Sequence, residues 1–256
     1  MAVARVQATV ETQPVNSGDD AADDVAIWHN PVDGTASRVL GTDKQQGLAV
    51  YNLQGEQLQL LKSGRLNNVD VRQRVLINDE LTSIAVASNR TNISIDVFTI
   101  DHLGKVLHRG EQRLGLEDPY GICMFKTAQG QANVLVNDKD GRYQQWQLDS
   151  LQPVAMTLMR EFTLSSQPEG CSVDEQTGQL FVGEENVGLW RLAADQAAAA
   201  ELVSIDKVGA GALVADVEGV EVMRIDDETA YLITSSQGDN TYAVYDAQDA
   251  HQYLGS

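Results

Sequence analysis

The sequence predicts an all-β fold, a β-propeller of four-stranded blades, and three observations predict it. First, a polar, carboxylate-rich motif opens five strand-like runs: Asp23-Asp24-Val25-Ala26-Ile27-Trp28, Asn68-Val69-Asp70-Val71, Pro119-Tyr120-Gly121-Ile122, Pro168-Glu169-Gly170-Cys171 and Val217-Glu218-Gly219-Val220. The copies recur about every 50 residues, the period of a blade built from about four short strands. Second, another polar series keeps step with the first: Gly41-Thr42-Asp43-Lys44, Ser88-Asn89-Arg90, Asn137-Asp138-Lys139, Gly183-Glu184-Glu185-Asn186 and Ser235-Ser236-Gln237-Gly238. Third, an aromatic returns at a similar offset in each unit, as Tyr51, Phe98, Trp146, Trp190 and Tyr245. It falls in a run that alternates apolar and polar positions, so it is expected to pack between blades.

Taken in order, residues 1–22 are expected to hold one strand, Arg5–Val10, followed by an acidic loop, and residues 23–256 to form the propeller. In the first blade the strands are expected over Val25–Trp28, Arg38–Thr42, Gly47–Leu53 and Gln57–Leu61. Turn signals such as Asp33-Gly34, Asp140-Gly141 and Gln237-Gly238-Asp239-Asn240 separate strands along the chain. Only Ala193–Ala200 reads as helical, an insertion on the solvent side. Five blades are visible.

A chain of 256 residues can bury a sizeable core without disulfide staples. Cys123 and Cys171 sit in apolar runs without zinc spacing and are expected to be buried free thiols. The net charge is −19, from 37 acidic against 18 basic residues, which argues against nucleic acid as a partner. No apolar run approaches membrane-spanning length and Met1 opens no secretion signal. A soluble protein is expected, not a membrane one.

In a propeller the first strand of each blade lines the central channel and the second runs antiparallel beside it. Both polar series should therefore gather at one face: Asp23, Asp24, Asp43, Asp70, Asp138, Glu169, Glu184, Glu185, Asp216 and Glu218, with Lys44, Arg90, Tyr120 and Lys139 among them. Acids so crowded repel one another unless hard divalent cations neutralise them, and carboxylates without His or Cys favour calcium over zinc. The basic residues would then hold an anionic ligand, Arg90 as a bidentate donor to phosphate.

Catalysis through a protein nucleophile finds little support. His29, His102, His108 and His251 show no metal or phosphatase spacing, and no nucleophile elbow or Walker-type glycine loop occurs. Oxygen-ligated cations could bind phosphates and activate a water for in-line phosphoryl displacement.

The stretches Asp19–Trp28, Thr42-Asp43-Lys44, Gly64–Arg72, Ala87–Arg90, Tyr120-Gly121, Glu169-Gly170, Glu184-Glu185, Asp216–Gly219 and Ser235–Gly238 resemble, in order, the β-propeller phytases, calcium-dependent alkaline 3-phytases. The resemblance spans about Glu11 to Tyr253. It implies a six-bladed propeller that uses several calcium ions to hydrolyse phosphomonoesters of phytate, myo-inositol hexakisphosphate, by metal-activated water. It implies that Asp23, Glu169, Glu185, Asp216 and Glu218 hold catalytic calciums. Asp24, with backbone at Asn68 and Val69, would help hold a structural one. Lys44, Arg90, Tyr120 and Lys139 would bind the scissile phosphate and act in catalysis. Where the family often has a second lysine this chain has Gln45, which implies a weaker neighbouring phosphate subsite.

The family continues for about another blade, so the chain resembles the shortened N-terminal propeller of a tandem phytase. Impaired turnover follows as an expectation, with docking on a following phytase domain or homodimerisation through open blade edges. The resemblance also implies a secreted or periplasmic protein. The alternative from a different class is a non-catalytic calcium- and phytate-binding domain that assists a second phytase domain. A protein-interaction propeller would scatter its polar residues around the rim, and a lactonase-like propeller needs acids for only one metal.

Overall fold

The computed structural model describes residues 4–248 and 251–256. Its strands form five four-stranded antiparallel sheets, each from consecutive strands. The first holds β1 (Ala22–Trp28), β2 (Arg38–Asp43), β3 (Gly47–Tyr51) and β4 (Gln57–Lys62). The second holds β5 (Leu66–Ile77), β6 (Glu80–Asn89), β7 (Ser94–Ile100) and β8 (Val106–Arg113). The third holds β9 (Pro119–Lys126), β10 (Ala132–Asp138), β11 (Arg142–Leu151) and β12 (Val154–Thr163). The fourth holds β13 (Pro168–Asp174), β14 (Gln179–Glu184), β15 (Gly188–Ala193) and β16 (Val203–Lys207). The fifth holds β17 (Val220–Arg224), β18 (Ala230–Ser236), β19 (Thr241–Asp246) and β20 (Tyr253–Gly255). The fold is all-β, a β-propeller of five four-stranded blades, as the repeat predicts.

The chain divides into two compact units. One comprises Ala8–Val136 and Gln145–Met159, and the other includes Asn137–Gln144 and Arg160–Ser256. In the first unit the strand period of two builds the core directly. On β6, Ile84 and Val86 enter one apolar cluster with Ile122, Met124 and Trp146, while Ala85 and Ala87 enter another with Trp28, Val50, Val71 and Phe98. A blade buried on both faces reads as a near-continuous apolar run. In the second unit Phe181, Leu189, Val217, Leu232 and Tyr245 form the corresponding cluster.

The recurring aromatics pack as expected at Tyr51, Phe98, Trp146 and Tyr245, all buried. Trp190 is half-buried, and its indole N–H donates to Glu184 Oε2 at 2.8 Å.

Three expectations are corrected. Arg5–Val10 is not a strand, and the backbone N–H of nearby Ala4 donates to Ser256 O. Residues 1–3 of the N-terminal segment lie outside the described residues. Ala193–Ala200 is not a helix: Ala193 ends β15 and a turn follows, because the Arg160 guanidinium takes the carbonyls of Ala193, Asp195 and Ala198 that helical bonding would need. Neither cysteine is a free thiol. Cys123 and Cys171 are both disulfide-bonded, and burial among apolar neighbours could not distinguish the two oxidation states in the sequence.

Candidate active site

Three of the polar motifs are shaped by a break in strand pairing. Between β1 and β2 the register shifts from Ala22↔Asp43 to Val25↔Gly41, so β1 carries one residue more than its partner. The same shift occurs from Leu66↔Asn89 to Val69↔Ala87, and from Pro168↔Glu184 to Cys171↔Val182. These β-bulges fall on Asp23-Asp24, Asn67-Asn68 and Glu169-Gly170, at or beside the residues of the first polar series. A bulge re-aims side chains that regular pleating would send to opposite faces.

The second series obeys a rule of its own. Its strand-ending residues, Asp43, Asn89 and Glu184, are buried. Asp43 Oδ1 accepts the N–H groups of Gln45 and Gln46, and Asn89 Oδ1 accepts those of Thr91 and Asn92, so both side chains build the hairpin turn. The next residue is pinned by its backbone. Lys44 N–H donates to Ala21 O at 2.8 Å, Arg90 to Arg65 O at 2.8 Å, Glu185 to Gln167 O at 3.0 Å and Gln237 to Asp216 O at 3.0 Å. The first two blades thus spend one polar residue on the turn and present the following one.

In the first unit the presented bases join a charge network. Lys44 Nζ lies 2.7 Å from Asp20 Oδ2 and 2.9 Å from Asp23 Oδ1. Burial alone would lower the pKa of this ammonium, but Asp20 and Asp23 outweigh it and the net shift is upward. Asn67 Nδ2 donates to Asp23 Oδ2 at 2.7 Å, and Asn67 Oδ1 accepts from Arg90 Nη1 at 3.4 Å. Arg90 grips Asp118 with two parallel bonds, Nε to Oδ1 at 2.7 Å and Nη2 to Oδ2 at 2.8 Å. Its Cζ stands 6.0 Å from the centre of the Tyr120 ring. Lys44, Arg90 and Tyr120 are therefore linked through Asp23 and Asn67. The guanidinium edge expected to take phosphate is, however, held by a carboxylate.

Beneath this network lies Asp24, whose Oδ2 accepts the Val69 N–H at 3.0 Å. Burial pushes its carboxyl up to about 7 despite hydrogen bonds from the Val69 and Val25 N–H groups, and Asp70 and Asp23 push the same way. Asn68 N–H donates to Ser88 Oγ at 3.1 Å, and the Ser88 hydroxyl donates to Tyr120 O.

In the second unit Asp138 lies 3.3 Å from Arg142 Nη2, whereas Glu184, Glu185 and Glu218 meet neutral donors. Glu184 Oε1 accepts from Ser165 Oγ, Ser166 N–H and Ser166 Oγ at 2.5–2.7 Å. Glu185 Oε1 accepts from Gln167 Nε2 at 2.5 Å. Burial raises the Glu185 pKa, with Asp216 adding to the effect and Gln167 and Lys139 opposing it. Glu218 Oε2 accepts from Gln237 Nε2 at 2.9 Å. Glu169 is buried on β13, and its carbonyl accepts from Asn137 Nδ2 at 2.8 Å. Gly170 follows because its N–H donates to Glu218 O at 2.8 Å, and a Cβ there would stand 2.0 Å from that oxygen. Lys139 and Asp216 thus fall near Glu185, and Glu169 near the segment bearing Glu218.

Among the described residues no three acids, histidines or cysteines converge as a ready-made metal cage. The donor chemistry nonetheless suits a hard cation. Asp24 and Glu185 are carboxyls that burial discourages from ionising, and a divalent ion would stabilise their charged forms.

Sequence reasoning missed Asn67, Gln167 and Gln237 as members of the site. Gln237 could have been found, since it holds in the fifth repeat the place of Lys44 and Arg90.

The family described as Phytase matches residues 1–256. A 3-phytase of Bacillus subtilis (strain 168) is 35% identical over 262 residues, covering 98% of this chain and 69% of that protein. Two solved structures are similar in fold. A functionally unknown protein from Desulfotomaculum acetoxidans aligns with a TM-score of 0.63 at 14% identity, over 94% of this chain and 72% of that one. A protein from Lactobacillus plantarum aligns with a TM-score of 0.59 at 12% identity, over 90% and 68%. Among the described residues no helix is long and apolar enough to cross a membrane.

Proposed function

The chain belongs to the phytase family, phosphoric monoester hydrolases, and from that premise we propose that it hydrolyses phytate, or other inositol phosphates, in a calcium-dependent reaction. The observation that carries this reading is the linked set Lys44, Asp23, Asn67, Arg90 and Tyr120, in which bases suited to phosphate share hydrogen bonds with a candidate calcium ligand.

Asp23 and Asp24 in one unit, and Glu169, Glu185, Asp216 and Glu218 in the other, would supply carboxylates to several calcium ions, with backbone at Asn68 and Val69 near Asp24. When bound, such ions neutralise phosphate charge and make an attacking water more acidic. The chain's own residues then bind and orient. Lys44 Nζ can exchange the exposed Asp20 for a phosphate oxygen while Asp23 holds it in place. Arg90 adds positive charge in the same unit, Lys139 adds it beside Glu185 in the other, and the Tyr120 phenol can donate to the scissile phosphate. Attack by water on phosphorus, in line with the inositol oxygen, breaks the P–O bond and releases inorganic phosphate, the departing oxygen taking a proton.

A disulfide belongs to an oxidising compartment, which supports a secreted or periplasmic location. The test is phosphate release from phytate with calcium and with an excess of chelator. Release that requires calcium supports the proposal. Calcium-dependent phytate binding with no release would favour the accessory-domain reading, and equal release in chelator would overturn calcium dependence.

A further inference from the structure

We propose that Asp118 is a positioning residue for this reaction: it fixes the Arg90 guanidinium by one edge and so decides which of its N–H groups meet the substrate phosphate. The inference rests on the phosphate-binding reading of Arg90. A guanidinium carries five N–H donors. Asp118 takes the Nε and one Nη2 hydrogen through bonds of 2.7 and 2.8 Å, and Asn67 Oδ1 lies 3.4 Å from Nη1. One N–H remains on each Nη nitrogen. The base of the side chain is pinned as well, through the Arg90 N–H on Arg65 O and the Asn89 turn.

Asp118 immediately precedes β9, two residues before Tyr120, whose ring lies beside the same guanidinium. One short segment therefore supplies both the clamp and the flanking phenol. An arginine ordered before substrate arrives loses less rotamer freedom on binding. The nearby carboxylate costs some repulsion toward phosphate, so the position makes sense only where orientation outweighs added charge. Asp118 is 39% exposed in its side chain, while Arg90 is 17% exposed. Replacing the acid should therefore spare the fold.

The experiment compares Asp118→Asn, Asp118→Glu, Arg90→Ala and the double variant Arg90→Ala/Asp118→Asn in the full chain. It measures phytate hydrolysis with calcium, phytate affinity by calorimetry and the melting temperature. Asp118→Asn is expected to lower turnover or affinity by about 10-fold to 100-fold, with an unchanged melting temperature. Asp118→Glu, which still offers two oxygens, should retain more function than Asp118→Asn. The double variant should be no worse than Arg90→Ala, because Asp118 acts through Arg90. Asp118→Asn at parental or higher function, or losses that simply multiply in the double variant, would overturn the inference alone. Parental function in Arg90→Ala would overturn the phosphate reading of Arg90 and this inference with it.

Discussion

The surroundings of Lys44 and Arg90 differ in kind from those of Glu184 and Glu185. In the first region acids meet bases: Asp20 and Asp23 pair with Lys44, and Asp118 pairs with Arg90. In the second region acids meet neutral donors: serines and a tryptophan on Glu184, Gln167 on Glu185 and Gln237 on Glu218. Both arrangements satisfy hydrogen bonds, but in the first the partners are bases, whereas in the second they are neutral groups and Lys139 offsets only part of the effect of burial on Glu185. An amide or hydroxyl leaves a carboxylate's negative charge in place. The first region therefore suits an anion, which can replace one carboxylate partner of a base. The second suits a cation, which would supply charge that the neutral donors cannot.

The strongest way to break this comparison is to remove a base. Lys44→Met should reduce phytate turnover or affinity at least tenfold, since charge-assisted bonds contribute roughly 1.5–3 kcal/mol. Calcium should still raise its melting temperature. Loss of the calcium effect, with function retained, would mean that Lys44 serves the cation side.

A finer test separates the adjacent acids. Glu184→Gln places an amide among four donors and should cost about 1–3 kcal/mol of stability in calcium-free urea unfolding. Glu185→Gln removes a charge that burial disfavours, so its calcium-free stability should be no lower than the parent's, while stabilisation by calcium should shrink. Equal behaviour of the two variants would erase the distinction between them.

The smallest effect concerns a pH-dependent charge pair in the first unit. His108 Nε2 lies 3.2 Å from Asp96 Oδ2. Asp96 is buried and bonded to Asn89, whose side chain sets the turn carrying Arg90. The hydrogen bond to Asp96 raises the His108 pKa against the opposing effect of burial. The stability it contributes is fully present below the unfolded value of about 6.5 and is lost as pH rises through the folded value. Unfolding of the parent and His108→Gln at a series of pH values should show a small gap in acid that closes in alkali. A gap independent of pH would show that His108 acts by packing alone.

Much of this was legible in the chain. The repeat gave the blades, and the start of β1, β5, β9 and β13 follows the motif register closely. Strand period and aromatic offset are local properties, so Phe98 and Tyr245 could be assigned to the core without knowing their neighbours. The N-terminal strand and the helix at Ala193–Ala200 failed for the opposite reason. A strand needs a partner to bond, and the alanine-rich stretch lost its carbonyls to Arg160, an arginine over thirty residues away.

The pair Glu184-Glu185 marks the boundary between the two kinds of information. By itself the sequence determined that two acids end the second strand of the fourth blade, in step with Asp43-Lys44 and Asn89-Arg90. Only the tertiary structure decided that Glu184 is held by two serines and an indole while Glu185, also buried, is held by Gln167. It likewise decided that Asp118 holds one edge of the Arg90 guanidinium. Backbone periodicity is written in neighbouring residues. The direction of a side chain at a bulge, and the partner it meets there, depend on segments that come together only when the sheets pair and pack.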